Sequence, residues 1–271
     1  MDTTSAIEAV ERALDDMGPV AVAVSGGIDS LTLATLAARC LGDRAEMFHS
    51  MTGSVPMEAT ARTRDLAARL GWRLRVIDAD EFSREEYLSN PVNRCFYCKQ
   101  ALYGQIARHT RSQVVSGANT DDLADYRPGL DAAREAGARH PFIEAGIGKR
   151  EIRAMARVLD LGALAEIPAS PCLSSRVETG LRIVPATLRQ VERAEAAVRE
   201  RVPHAHAVRC RVRAAGVVIE LDAATLEALD TMARDAIAGA VHSIFGAKPR
   251  FAAYRMGSAF IDPATIATRP A

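Results

Sequence analysis

A chain of 271 residues, 48% hydrophobic and 25% charged, has the length for one large domain or two smaller ones and the composition of an ordinary globular protein. Its 34 Lys and Arg balance 34 Asp and Glu, which argues against a general polyanion binder, so no nucleic-acid partner is expected. No apolar run has membrane-spanning length and the acidic start has no apolar signal core, so no membrane partner and a cytoplasmic location are expected, with the five cysteines as thiols or metal ligands rather than disulfides.

In chain order, Thr4 to Met17 predicts an amphipathic helix with Ile7, Val10, Leu14 and Met17 on one side, ended by Gly18-Pro19. Val20 to Val24 is a run of small and β-branched residues, as expected for a buried parallel strand. Leu31 to Cys40 then has helical spacing. Strands are predicted at Ala45–Ser50, Arg73–Asp78 and Gln113–Gly117, alternating with helices at 57–70 and 94–109. That alternation predicts an α/β fold with a parallel sheet and right-handed crossovers. Residues 123–139 are polar and broken by Pro128-Gly129, which suggests a flexible segment. A helix is expected over 149–161. After Pro185 the pattern changes to a charged helix over 186–201, a hairpin of Arg209–Arg213 and Val217–Leu221 about Ala214-Ala215-Gly216, a helix over 223–240 and a last strand over 250–255. Two domains are therefore expected, 1–183 and a smaller α+β domain 184–271.

Two strand ends carry the chemistry. Ser25-Gly26-Gly27-Ile28-Asp29-Ser30 joins the first strand to a helix N-terminus. Adjacent glycines let backbone N–H groups approach an anion, and the helix dipole favours negative charge there. Asp29 suits a site that also holds a metal ion or an amide. No Gly-Lys-Ser/Thr follows, so this is not a Walker loop. Ser116-Gly-Ala-Asn119-Thr-Asp121-Asp122 ends the fourth strand; it reads either as a capped turn or as a second wall with carboxylates near Mg²⁺.

Cys95 and Cys98 form a Cys-x-x-Cys next to Arg94 and Lys99, and Cys172 stands in Ser-Pro-Cys-Leu-Ser-Ser-Arg176. These three are expected in loop-like surroundings where the cations favour thiolates. The pair could be a redox couple, half a zinc site or two ligands of an iron–sulfur cluster. Cys40 and Cys210 are expected as small buried hydrophobes.

Ser-Gly-Gly-x-Asp-Ser after a hydrophobic strand resembles the PP-loop of the ATP pyrophosphatase superfamily. Together with Gly117–Gly129 and Pro168–Arg176, it resembles the LarE-type sulfur transferases of nickel-pincer cofactor synthesis. The resemblance implies an adenine nucleotide alpha hydrolase-like domain that uses ATP and Mg²⁺ to adenylate a carboxylate of pyridinium-3,5-biscarboxylic acid mononucleotide. A sulfur nucleophile then displaces AMP and leaves a thiocarboxylate. It implies Ser25, Gly26, Gly27, Asp29, Ser30, Asn119, Asp122 and Arg176 at the nucleotide, with Asp29 and Cys172 catalytic. In one branch the sulfur comes from a cysteine matching Cys172, which ends as dehydroalanine. In the other, cysteines matching Cys95, Cys98 and Cys172 hold a [4Fe-4S] cluster whose open iron carries an added sulfide. All three are present here, which favours the cluster branch. The resemblance further implies Arg211 and Arg213 at the substrate phosphate, Glu195 and Glu220 at a divalent ion, a sulfide or other sulfur donor, and a homo-oligomer. Ala214-Ala215-Gly216 and Val217-Val-Ile-Glu220 depart from the family's His-His-Gly-Asp and Ala-Arg-Ile-Glu, which bears on the substrate more than on the sulfur chemistry.

Three other readings compete. A tRNA thiolase also joins a PP-loop to paired cysteines, but calls for a basic surface or an added RNA-binding domain. An amide-forming PP-loop ligase, such as an NAD synthetase, leaves the cysteines unexplained. A nucleotide-sensing or cluster-carrying module would bind ATP without releasing AMP.

Overall fold

The computed structural model describes residues 2–124, 127–167 and 171–260. The chain divides into two compact units, Met1–Ser83 with Cys95–Ser170, and Arg84–Arg94 with Pro171–Ala271. The expected boundary at 183/184 lies inside the second unit. Residues 171–183 group there because Val177 bridges Val212 and the Glu178 N–H donates to the Val212 carbonyl at 2.9 Å. Residues 84–94 join them through Asn90, whose amide nitrogen donates to the carbonyls of Glu178 and Leu181, each at 2.9 Å.

The first unit begins with helix α1 (Thr3–Met17), capped by the Asp2 side chain on the Ser5 N–H. It continues through β1 (Val20–Val24), α2 (Ile28–Leu41), β2 (Ala45–Ser50), α3 (Met57–Leu70) and β3 (Leu74–Ile77). β1 is buried along its whole length. Val20, Val22 and Val24 pack with α1 and α2, while Ala21 and Ala23 pack with Phe48, Tyr103 and Ile106 on the other face. The period-2 alternation of a strand therefore feeds two apolar layers, as a parallel sheet covered on both faces requires.

Helix α4 (Glu85–Leu88) belongs to the second unit, and α5 (Arg94–His109) leads back to the first. There follow β4 (Gln113–Ser116), α6 (Pro128–Glu135), α7 (Pro141–Glu144) and α8 (Lys149–Val158). All pairings in this sheet are parallel, in the order β3-β2-β1-β4. The chain runs outward from β1 to β3 and then returns to the other side of β1. Strand order thus reverses between β1 and β4, the position at which an open α/β sheet is expected to place its ligand crevice. The two motifs singled out in the sequence are the loops after these two strands.

The second unit holds α9 (Pro185–Arg201), β5 (Val208–Arg213), β6 (Gly216–Leu221), α10 (Ala223–Ala228), α11 (Thr231–Phe245) and β7 (Arg250–Ala253). β5 and β6 form the expected antiparallel hairpin, and β7 adds in parallel to β6.

Three expectations are corrected. Pro128-Gly129 does not break structure: Pro128 is the first residue of α6, where its fixed φ and missing N–H fit, and Ala132 and Ala133 are buried. The helix expected over 223–240 is two helices, because Asp230 caps α11 by accepting the Ala233 N–H at 2.7 Å. Cys95 and Cys98 lie in the first turns of α5, the helix expected over 94–109, and not in the loop-like surroundings expected of their thiols.

Leu36 in α2 is fully buried in the layer that also holds Trp72, the chain's one tryptophan. We predict that Leu36→Ala lowers the unfolding free energy by about 2–5 kcal/mol, read by urea titration of Trp72 fluorescence in the first unit. A loss below about 1 kcal/mol would show that this layer is not the unit's stabilising core.

Candidate functional site

The loop after β1 is held shut by its own side chains. The Ser30 hydroxyl donates to the Gly27 carbonyl at 2.9 Å and accepts the Ser25 N–H at 3.0 Å. Gly26 has φ +79°, and a Cβ there would stand 2.6 Å from the Ala59 carbonyl oxygen of α3. Only glycine fits that approach. Gly27 begins α2 without a side-chain cap, so the N–H groups of the first turn of a 14-residue helix have no side-chain acceptor. Such an end is a ready anion site. The buried Ser30 hydroxyl braces the loop rather than facing a ligand, whereas Ser25 is exposed.

The loop after β4 meets the same helix end. A Cβ on Gly117 would stand 2.9 Å from the Ser30 nitrogen and 2.9 Å from the Asp29 carbonyl carbon, so backbone touches backbone across the crevice. Asn119, fully buried, donates from Nδ2 to Asp29 Oδ2 at 3.4 Å. Its own N–H is held by Asp122 at 3.1 Å in a capping box, and Arg127 pairs with Asp122 at 3.0 Å. Asp121 accepts the Lys149 N–H at the start of α8 at 2.6 Å. The two readings of this loop are therefore not exclusive. Asn119 and Asp122 cap a turn, and the cap aims Asn119 at Asp29.

Burial raises the Asp29 pKa above the ordinary carboxylate value, with Lys149 opposing and Asp122 adding to the shift. Two further residues sit at this edge. Arg62 on α3 donates from Nε to the Gly26 carbonyl at 2.9 Å, and burial lowers its pKa. Sequence reasoning missed it; its one signal is the spacing of three from Ala59, which places both on one helix face. His49 is buried between the Val24 carbonyl and the Thr60 hydroxyl, at 2.9 Å each, and burial lowers its pKa. It fastens β1 to α3 instead of facing solvent.

In the second unit Cys172 caps a 3-10 turn, Leu173–Arg176. The Arg176 guanidinium donates to the carbonyls of Pro171 at 2.6 Å and Cys172 at 3.2 Å, and to the Ser175 hydroxyl at 3.1 Å. It also forms a two-pronged pair with Glu195 at 2.9 and 3.1 Å. Burial works against the Arg176 charge, but the Glu195 bonds prevail and its pKa is raised. Arg211 grips the same turn from β5, donating to the Ser175 carbonyl at 3.0 Å and to Glu220 at 2.9 Å. Arg213 donates to the other Glu220 oxygen at 2.8 Å, and the Ser258 hydroxyl donates to Glu220 as well. Strand alternation does bring Arg211 and Arg213 to one face, as expected, and that face carries Glu220.

These partners bear on the roles expected of five residues. Arg176 serves the Cys172 turn. Arg211 is 4% exposed and enclosed, while Arg213 keeps about a quarter of its side chain open (23%). Glu195 and Glu220 are each taken by arginine, with the Cys210 N–H adding to Glu195 at 3.0 Å, which leaves little carboxylate for a divalent ion. Among the described residues no group of three or more His, Cys, Asp or Glu side chains is placed to hold a metal ion.

Cys95 and Cys98 stand one turn apart on α5, partly buried, and Cys172 is partly buried too. Thiolates are the right donors for an iron–sulfur cluster. Two of the three belong to the first unit and the third to the second. Cys210 is fully buried and burial raises its pKa; Cys40 is half-buried, its thiol 3.6 Å from the Glu11 carbonyl, and burial raises its pKa also. Neither faces the site.

Comparison with known proteins gives consistent results. The asparagine synthase family model matches residues 6–143. An uncharacterized protein of Synechocystis sp. is 34% identical over 70% of this chain and 72% of its own length. The pyridinium-3,5-bisthiocarboxylic acid mononucleotide synthase of Lactiplantibacillus plantarum is 32% identical over 68% of each chain. An uncharacterized protein of Methanocaldococcus jannaschii is 29% identical over 75% of this chain and 78% of its own.

The Arg176–Glu195 pair generates a stability prediction. Arg176→Met strands a buried carboxylate, and a loss of about 3–5 kcal/mol is expected from denaturant unfolding of the second unit. Cys172 should become several-fold faster to alkylate in the same variant. Unchanged stability together with unchanged alkylation would mean that the pair does not hold the turn.

Proposed function

Because the chain belongs to the PP-loop family that the asparagine synthase model describes, in its LarE-type branch, we propose that it is an ATP-dependent sulfur transferase converting a pyridinium carboxylate mononucleotide to its thiocarboxylate. The observation that carries this is the crevice between β1 and β4. There the uncapped α2 N-terminus, the Cβ-free approaches at Gly26 and Gly117, and the Asp29–Asn119 contact share one edge. That edge suits a polyphosphate. Among the described residues no helix is long and apolar enough to cross a bilayer.

In this reading the nucleotide phosphates lie on the N–H groups of Gly27 and the first turn of α2, with Ser25 as a hydroxyl donor. A substrate carboxylate oxygen attacks the α-phosphorus, the bond to the bridging oxygen breaks, and pyrophosphate leaves. Adenylation is needed because a carboxylate oxygen is a poor leaving group. A sulfur anion then attacks the acyl carbon, the carbon–oxygen bond breaks and AMP departs with that oxygen. Asp29 would hold Mg²⁺ beside the phosphates, with the Asn119 amide N–H orienting its carboxylate. Mg²⁺ takes one or two carboxylates together with phosphate oxygens, so three protein acids are not required. Bound there, Mg²⁺ would neutralise charge on the leaving pyrophosphate.

Cys172 is the proposed sulfur residue. Its turn is fixed by two buried arginines, and fixed geometry is what a nucleophile needs. Cys95, Cys98 and Cys172 have the donor chemistry for a [4Fe-4S] cluster, which would supply a bound sulfide. Of the two basic residues expected at the substrate phosphate, we assign Arg213, which keeps solvent access.

Four measurements test this. Asp29→Ala should cut pyrophosphate release by roughly a hundredfold or more; unchanged release removes Asp29 from the mechanism. Cys172→Ala should release pyrophosphate normally and form no thiocarboxylate, and survival of transfer would falsify its role as donor or ligand. Arg213→Ala should raise the substrate KM at least about tenfold with the ATP KM unmoved; equal effects on both refute the phosphate assignment. Iron and acid-labile sulfide on protein purified without oxygen, beside Cys95→Ala, separate a cluster from a consumed cysteine.

A further inference from the structure

Three arginines are buried among the described residues: Arg94, Arg176 and Arg211. Arg176 pairs with Glu195 and Arg211 with Glu220. Among the described residues Arg94 pairs with no carboxylate, although it is 2% exposed. Its Nη1 donates to the Asn90 side-chain oxygen, and its guanidinium carbon lies 5.4 Å from the centre of the Phe260 ring. Nη2 is buried with no hydrogen-bond partner.

Asn90 cannot supply the missing charge. It is a neutral amide, fully buried at φ +55°, with its nitrogen fixed on the Glu178 and Leu181 carbonyls. Its oxygen is therefore aimed at Arg94 by the fold. A buried guanidinium with an idle N–H and no counter-charge costs several kcal/mol, so it calls for an anion. One buried, idle N–H offers a single hydrogen bond, which does not match the several oxygens of a phosphate or a nucleotide. An aromatic face on one side and a single free N–H suit a small, weakly hydrated monoanion.

We propose that Arg94, oriented by Asn90 and covered by Phe260, is the cation of a small-monoanion site. Its ligand in the reaction is hydrosulfide, a clause that rests on the sulfur-transfer reading above. Phe260 is 46% exposed, so the cover can be displaced to admit the ion. Arg94 precedes Cys95 directly in the chain, which would deliver the sulfur beside the Cys-x-x-Cys.

The test is thermal unfolding at constant ionic strength without oxygen, replacing sodium gluconate by sodium bromide or sodium hydrosulfide. Bromide probes the site alone. The wild-type Tm should rise and saturate with each anion, because binding to the native state alone stabilises it. Arg94→Met should show no such rise, and in gluconate its Tm should equal or exceed that of the wild type, since no ion pair is lost. An identical response in both proteins overturns the proposal, as does a large fall in the Tm of Arg94→Met in gluconate. Should Arg94→Met fail to fold, Arg94→Lys is to be titrated. It keeps the charge but lacks the fork, and half-saturation should move up about tenfold; no movement overturns the site. Saturation by bromide without saturation by hydrosulfide keeps the anion site and rejects its sulfur ligand. These readouts need no turnover, so failure of the sulfur-transfer reading would be seen separately.

Discussion

The candidate nucleotide site depends on one close approach of backbone to backbone. With no Cβ on Gly117, the loop after β4 lies against the first turn of α2. Gly26 makes the matching approach to α3 from the other side. A methyl group at either position would push one wall of the crevice away and separate Asn119 from Asp29. The half-buried Asp29 and its contact with Asn119 follow from packing these segments closer than side chains allow.

The second unit is organised on a different principle. Its polar interior is a set of arginine–carboxylate pairs, Arg176 with Glu195, and Arg211 and Arg213 with Glu220. Such pairs add little net stability, because desolvation offsets most of their attraction. They do fix geometry, since a two-pronged bond has one good orientation. Here they converge on the carbonyls and hydroxyl around Cys172 and Ser175. Ions that cost as much as they return are retained where a loop must hold one shape.

Much of the first unit was legible because its signals are local. Five buried residues before a double glycine mark β1, and periodic apolar residues mark α1 and α3, whose helix ends at Gly71. The helix α6 is less legible because Pro-Gly reads in sequence as a break, although proline at the first position starts a helix. The roles of Arg176, Arg211, Glu195 and Glu220 were less legible for another reason. An arginine reads the same in sequence whether it awaits a phosphate or already holds a glutamate. Arg176 meets Glu195 nineteen residues away, and the Ser175 carbonyl lies thirty-six from Arg211. Asp29 and Asn119 were legible separately, and their contact ninety residues apart was not.

Asp29 shows how the close packing bears on the chemistry. Burial raises its pKa, so the fold favours the neutral acid more than water does. Charge at Asp29 thus becomes less favourable to the native state as pH rises through the folded pKa, and stability drawn from the protonated form is lost there. A cation would reverse this by holding the carboxylate ionised. In the proposed reaction the phosphates need the helix end and Asp29 needs a cation, so an anionic nucleotide alone would worsen the electrostatics that the crevice already carries. In that proposal a nucleotide arriving with Mg²⁺ would satisfy both at once, whereas the bare anion would meet the Asp29 carboxylate without a counter-charge.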